Sequence, residues 1–233
     1  METRRLILSG GCGQAFGAAF ANTGLVLHTG TSVSHLTGDV ARMTINLARW
    51  SPSMIEELLR VGVAAGLFLV GATLAGFVIH HPNLDLKRPY GRTITSIGGL
   101  LLIAYFCIAR LPIVSIGLAA FACGLQNALA THYRGVILRT THLTGMMTDF
   151  GVTLGMRFRG YDVPLWKIRV PAMLMVSFFL GGVTAAYFHF SGYDAIMLAG
   201  IGYMLAGISW SIWKHRSVVI PKKTHNPKDR FER

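Results

Sequence analysis

Along this chain, long apolar stretches free of Asp, Glu, Lys and Arg alternate with polar breaks. They run over 6–27, 61–79, 93–109, 111–130, 170–190 and 195–213, each 17 to 22 residues long. A helix that crosses the hydrocarbon of a bilayer needs about 17–25 residues, so each stretch predicts a spanning helix. Two shorter segments have a different character. Leu36, Val40, Met43 and Leu47 recur at steps of four, three and four, as do Leu143, Met147, Phe150 and Leu154. That spacing is one face of a helix. Small and hydroxylic residues precede each segment: Thr29-Gly30-Thr31-Ser32 and Arg139-Thr140-Thr141. The pattern predicts short helices within 33–50 and 141–157, each fed by a non-helical lead-in. Pro112 opens the fourth span after Leu111, where proline's fixed φ suits a helix start. Pro82 and Pro89 punctuate the loop before the third span, and Pro164 and Pro171 flank the start of the fifth.

The short segments also repeat in sequence. Ser34-His35-Leu36-Thr37-Gly38 and Thr141-His142-Leu143-Thr144-Gly145 align at an offset of 107, with five identities over residues 34–49. Chance gives about one at average residue usage. Downstream, Phe68-Leu69, Gly71, Thr73 and Ala75 match Phe179-Leu180, Gly182, Thr184 and Ala186; upstream, Gly11, Gln14 and Ala15 weakly echo Gly124, Asn127 and Ala128. The chain reads as a duplicated unit, 6–110 and 111–213, in one transmembrane domain followed by a basic tail over 214–233.

Composition supports this reading. Of 233 residues, 52% are hydrophobic and 14% charged, against about 25% charged in soluble chains. So few charges cannot cover a watery surface. The net charge of +12 would suggest nucleic acid in a soluble protein. Here the basic residues fall between apolar runs and in the tail, the pattern of loops facing anionic lipid headgroups. Membrane lipids are therefore the expected partners, and no nucleic acid. Cys12, Cys107 and Cys123 lie within apolar runs without C-x-x-C spacing and form neither a disulfide framework nor a zinc site. Arg4-Arg5 and Ala19-Phe20-Ala21 imitate a signal peptide, but the run continues to Leu27 and is rich in glycine, so a retained helix is expected.

Gly124-Leu125-Gln126-Asn127-Ala128, followed by Thr140-Thr141-His142-Leu143-Thr144-Gly145 and Thr148-Asp149, resembles the YoaK-like family of bacterial multi-pass membrane proteins of unknown function. The resemblance covers the chain to about Trp213. It implies a membrane location and no particular chemistry. The first half departs from the family pattern at Asp39, where members read Thr-Gly-Asn, and over Gly11–Ala15.

Two arrangements follow from the pattern: an all-α polytopic protein of six spanning helices plus two short re-entrant helices in inverted halves, or eight spanning helices in parallel halves. Positive-inside bias puts both termini in the cytoplasm in either case, on the bacterial inner membrane. Asp39 and Arg42 favour the first, because a charge at a spanning helix centre costs roughly 2.5–3.5 kcal/mol. Non-helical lead-ins at membrane depth must be enclosed by protein or line a cavity.

Ionisable and polar residues on these segments are the candidates for a substrate site or ion path. His35 and His142 hold matched positions, and imidazole titrates near physiological pH. Asp39 and Asp149 are the acids of the two short helices, and the repeat offset sets Arg42 opposite Asp149. That pairing is equally a structural ion pair. Thr37 and Thr144 stand before matched glycines at helix starts, where positive dipole ends can meet an anionic group. Gln126 and Asn127 on the fourth span read more as interhelical glue than as ligand groups. Gly13-x-x-x-Gly17, Gly62-x-x-x-Gly66 and Gly151-x-x-x-Gly155 permit close helix crossings, within one chain or in a homo-oligomer. Trp50, Trp166, Trp210 and Trp213 read as interfacial anchors. No G-x-S-x-G, H-E-x-x-H or P-loop pattern occurs, so no enzyme activity, metal or other cofactor is expected. The expected function is secondary transport of a small polar or anionic solute. The alternative is a non-transporting scaffold, an accessory subunit with a protein partner in a membrane complex.

Overall fold

The computed structural model describes residues 2–78, 90–129, 132–133, 136–137 and 140–217. Pro82, Pro89, Arg139 and the tail beyond Ser217 lie outside them. Eight helices carry the described chain: α1 (Glu2–Thr29), α2 (Leu36–Ala48), α3 (Met54–Val78), α4 (Tyr90–Cys107), α5 (Pro112–Ala128), α6 (Leu143–Phe158), α7 (Trp166–Phe190) and α8 (Ala195–Ser217). One addition was not expected: an antiparallel pairing of two-residue strands between α5 and α6, β1 (His132–Tyr133) with β2 (Val136–Ile137). Three helices, Met54–Val78, Trp166–Phe190 and Ala195–His215, are long and apolar enough to cross a membrane. α5 is apolar but shorter, at 17 residues.

Local chemistry sets the helix ends. Pro112 stands at the first position of α5, where its missing N–H costs nothing. Gly30 follows α1 and Gly192 follows α7, both with positive φ, the left-handed stop that glycine takes without strain. Trp50, just past α2, is the one described non-glycine residue with positive φ and is 81% exposed. Trp166 opens α7.

Small residues fix how the long helices pair. A Cβ on Gly71 of α3 would collide with the Phe121 carbonyl of α5, and one on Gly124 of α5 with the Phe68 carbonyl of α3. Gly117, a turn or two earlier on α5, faces Val63 and Leu67, earlier on α3, so these helices run parallel. α1 and α7 are parallel too: Gly11 faces Leu174, Gly181 faces the Phe16 carbonyl and Gly182 faces Thr23. α4 and α8 are antiparallel, with Gly91 against Gly207 and Gly98 against Gly200 and Met204. α1 and α8 are also antiparallel, with Gly17 on Tyr203 and Gly24 on Ala195 and Ile196. α4 turns tightly into α5, Leu111 N–H donating to the Cys107 carbonyl at 2.8 Å. Together these pairings point α1, α4 and α7 one way and α3, α5 and α8 the other.

The main core collects Leu25, Ile97, Leu101, Ile116, Cys123, Leu125 and Ile196, interleaved with alanines, from α1, α4, α5 and α8. The predicted retained segment 6–27 lies within α1, whose Ala15, Ala18 and Ala19 are buried. Large apolar side chains point outward from the long helices, among them Phe77 at 89% and Phe179 at 68% exposure. In water such a surface would aggregate, and against lipid it is at home.

Candidate ligand site at the starts of the two short helices

The lead-in to α2 is irregular backbone, and its donors can be followed one by one. Gly30 N–H donates to the Val26 carbonyl and Thr31 N–H to Thr29 Oγ1. Ser32 N–H donates to Asp39 Oδ2 at 2.7 Å. Val33 N–H and Ser34 N–H both donate to Asn22 Oδ1, at 3.0 and 3.2 Å. His35 N–H donates to Ser32 Oγ, whose own hydroxyl donates to Asn22 Oδ1. Every N–H from Gly30 to His35 is thus satisfied within the protein. An irregular segment can sit away from water only on that condition.

Asn22 is the hub of this wiring, and sequence reasoning missed it. It lies seven residues before the end of α1, about 10 Å back along the axis at 1.5 Å per residue. The lead-in therefore doubles back along α1 before α2 begins. His35, at the N-cap of α2, meets Phe178 edge-on at 5.2 Å between ring centroids, and Phe178 is the middle residue of the 25-residue α7.

The second short helix starts at similar depth. Leu143 and Met146 pack with Cys12 and Ala15 near the middle of α1 and with Leu174 and Phe178 of α7. Thr141 Oγ1 donates to Asn127 Oδ1 at 2.6 Å, so Asn127 anchors this lead-in as Asn22 anchors the other. Asn127 corresponds in role to Asn22, not to the Gln14-Ala15 stretch. His142 folds back over its own helix, and a Cβ on Gly145 would strike its Nδ1. Gly38 has open space where its Cβ would lie. His142 lies near enough to act electrostatically on His35.

The remaining candidates separate into groups. Asp39 is buried, and besides Ser32 N–H it accepts from Arg42 Nη2 at 3.0 Å. Arg42 also bonds Glu57 Oε1 at 2.7 Å and the Gly30 carbonyl at 3.2 Å, while Asn46 Nδ2 donates to Glu57 Oε2. Arg60 donates to the Thr29 carbonyl at 2.9 Å. This network pins α2 to α3 and closes the end of α1. Arg42 therefore pairs within its own half and does not meet Asp149. Asp149 is exposed on α6, and among the described residues its carboxylate has no ion pair. Met146, buried, fills the position that Asp39 holds in α2. Gln126 is fully buried and donates to the Gln14 carbonyl at 2.8 Å, which ties α5 to α1. Thr37 and Thr144 are exposed on the first turns of α2 and α6. No group of three metal-ligating side chains occurs among the described residues.

Three buried polar atoms at the two lead-ins have no partner among the described residues: Ser34 Oγ, His35 Nε2 and Thr140 Oγ1. At the α2 lead-in the first two of these atoms stand beside a complete set of backbone bonds.

A family model described as a protein of unknown function (DUF1275) matches residues 11–209. The chain belongs to the DUF1275 family. That match agrees with the YoaK-like resemblance and runs from within α1 to within α8 of this DUF1275 member. No curated protein and no solved structure matches it.

Proposed function

We propose that this chain is a secondary transporter or permease of the bacterial cytoplasmic membrane, moving a small polar or anionic solute. In this reading α1, α3, α4, α5, α7 and α8 span the bilayer, and α2 and α6 are re-entrant. Alternating helix directions support it: up, down, up in the first half and down, up, down in the second. Helix pairing also supports inverted repeats over 6–110 and 111–213. Exchanging the halves turns the α1–α7 contact into α5–α3 and the α1–α8 contact into α5–α4, and it leaves α4 against an antiparallel α8. Equivalent helices that meet antiparallel require a twofold in the membrane plane. Both termini then lie on one side, the cytoplasm by the positive-inside rule, with the basic tail against anionic headgroups.

The observation that carries the proposal is the set of unpartnered polar atoms at the starts of the two short helices, Ser34 Oγ, His35 Nε2 and Thr140 Oγ1. Helix N-termini offer positive dipole ends and free N–H groups, and the orphans add hydroxyl and imidazole donors. Asp39 is occupied by Ser32 and Arg42, so no free carboxylate opposes an anion there. Proteoliposomes loaded in turn with formate, nitrate, urea and glycerol test this. Flux of at least one solute is expected, falling about ten- to a hundredfold in His35→Ala and His142→Ala, the loss of one hydrogen bond to a charged group. Undiminished flux in both variants would overturn the site, and no flux of any solute would overturn transport.

A second reading, the membrane scaffold, draws on the outer faces of α2 and α6. Val40, Ile45, Leu47, Met147, Val152 and Phe158 are exposed there among charged neighbours. Stable co-purification with another membrane protein, without solute flux, would favour it.

A further inference from the structure

The α1–α8 contact is unlike its counterpart between α4 and α5. α4 and α5 are joined by a tight turn, whereas α1 and α8 lie at opposite ends of the chain. They touch closely where Gly24 meets Ala195 and Ile196 and again where Gly17 meets Tyr203, but Gly10 and Gly13 have no atom within reach of a Cβ. The two helices therefore part toward the start of α1. A groove of about 260 Å³ opens between them, almost wholly apolar, floored by Gly13, Gly17 and Gly202 and walled by Phe16, Phe20 and Leu198. From Gly13 to Phe20 it runs about 10 Å along the helix, centred on the middle of the apolar run 6–27, the depth at which acyl chains end.

We infer that this groove holds one acyl chain of an anionic phospholipid, with the headgroup at the basic ends of α1 and α8. A second helix does not fit, because a helix with its side chains is about 10 Å across and the Tyr203 ring already covers Gly17. Charge selects the headgroup. Arg4 and Arg5 belong to the first turns of α1, and Lys214, His215 and Arg216 to the end of α8. The helices are antiparallel, so these basic residues share one end. Arg5 lies eight residues from Gly13, and Lys214 eight from Ala206. That is about 12 Å along each axis, enough to reach from the groove into the headgroup layer. Trp210 and Trp213, adjoining Lys214, suit the same boundary. The inference rests on the membrane reading alone, so absence of solute flux would leave it standing.

The test adds phosphatidylglycerol or phosphatidylcholine to the purified full-length chain in detergent and follows the thermal transition. Phosphatidylglycerol should raise it saturably, and phosphatidylcholine should do so only at much higher concentration. Gly13→Leu fills the groove, where space is free. Losing the burial of about two methylenes should weaken half-saturation roughly tenfold. The double variant Arg4→Gln/Arg5→Gln should narrow the difference between the two lipids and keeps the core intact if Gly13→Leu does not fold. Equal response of the unmodified chain to both lipids would overturn the inference. So would an undiminished phosphatidylglycerol effect in Gly13→Leu, or a loss of dimer in that variant, which would assign the groove to a second copy.

Discussion

Replacing Asn22 with Leu, which keeps the branched shape without a polar atom, removes one acceptor that three donors share: Ser32 Oγ at 2.9 Å, Val33 N–H at 3.0 Å and Ser34 N–H at 3.2 Å. Val33 is buried, and water cannot reach the vacated position without opening the lead-in. A buried donor left unpaired costs about 1–3 kcal/mol. Two backbone N–H groups and one hydroxyl therefore sum to about 3–9 kcal/mol. Asn127→Leu is the internal control, because Asn127 Oδ1 accepts only from Thr141 Oγ1 among the described residues. Its cost should be about 1–2 kcal/mol. Asn22→Asp keeps the acceptor and should lie much closer to the parent than Asn22→Leu does. Unfolding of the purified chain in mixed micelles, titrated with a denaturing detergent and read by helical circular dichroism, gives the differences. If Asn22→Leu costs less than about 1 kcal/mol, or no more than Asn127→Leu, the lead-in is not held as described.

Other outcomes follow from the same geometry. Gly145→Ala should displace the His142 ring and depress solute flux. Gly38→Ala meets no atom and should leave flux unchanged, while raising stability by up to about 1 kcal/mol through helix propensity. Gly124→Val drives a side chain into the Phe68 carbonyl and should cost more than the 1–3 kcal/mol typical of overpacking, seen as loss of the monodisperse peak on gel filtration. Single cysteines at Ser53 and Tyr161, in a background without Cys12, Cys107 and Cys123, should label from opposite sides of the membrane. Labelling of both from one side would refute the inverted arrangement.

The helices were the legible part of the sequence because each leaves a local signature. Charge-free runs mark the long ones, and a four-three-four stripe after a hydroxylic lead-in marks α2 and α6. Helix pairing was not legible, since Gly71 facing Phe121 is a contact between residues fifty apart. His35 and His142, the second acting electrostatically on the first, stand out by repetition. Asn22 does not, although an Asn within the charge-free run of α1 is itself a signal. Its match to Asn127 is a likeness of depth and bonding with little sequence identity around it, and an alignment led by identities passes to Gln14 instead. Asp39 and Arg42 looked like path residues because charge at membrane depth is costly. Their cost is met locally, by Ser32 N–H, Glu57 and the Gly30 carbonyl. Glu57 and Arg60, at the start of α3, carried no pattern that would name them as partners.

The packing of the long helices bears on how the chain is made. α1 rests on α7 and α8, α3 rests on α5, and α4 rests on α5 and α8. Almost every broad interface joins one half to the other, and within the first half the main contact is the small one of α2 with α3. During synthesis the first half therefore leaves the ribosome with no interior to close around. Its helices must wait in the bilayer, small-residue faces open, until α5, α7 and α8 arrive. The two halves made as separate polypeptides, divided at the turn before Pro112, should each be short-lived alone and stable when produced together.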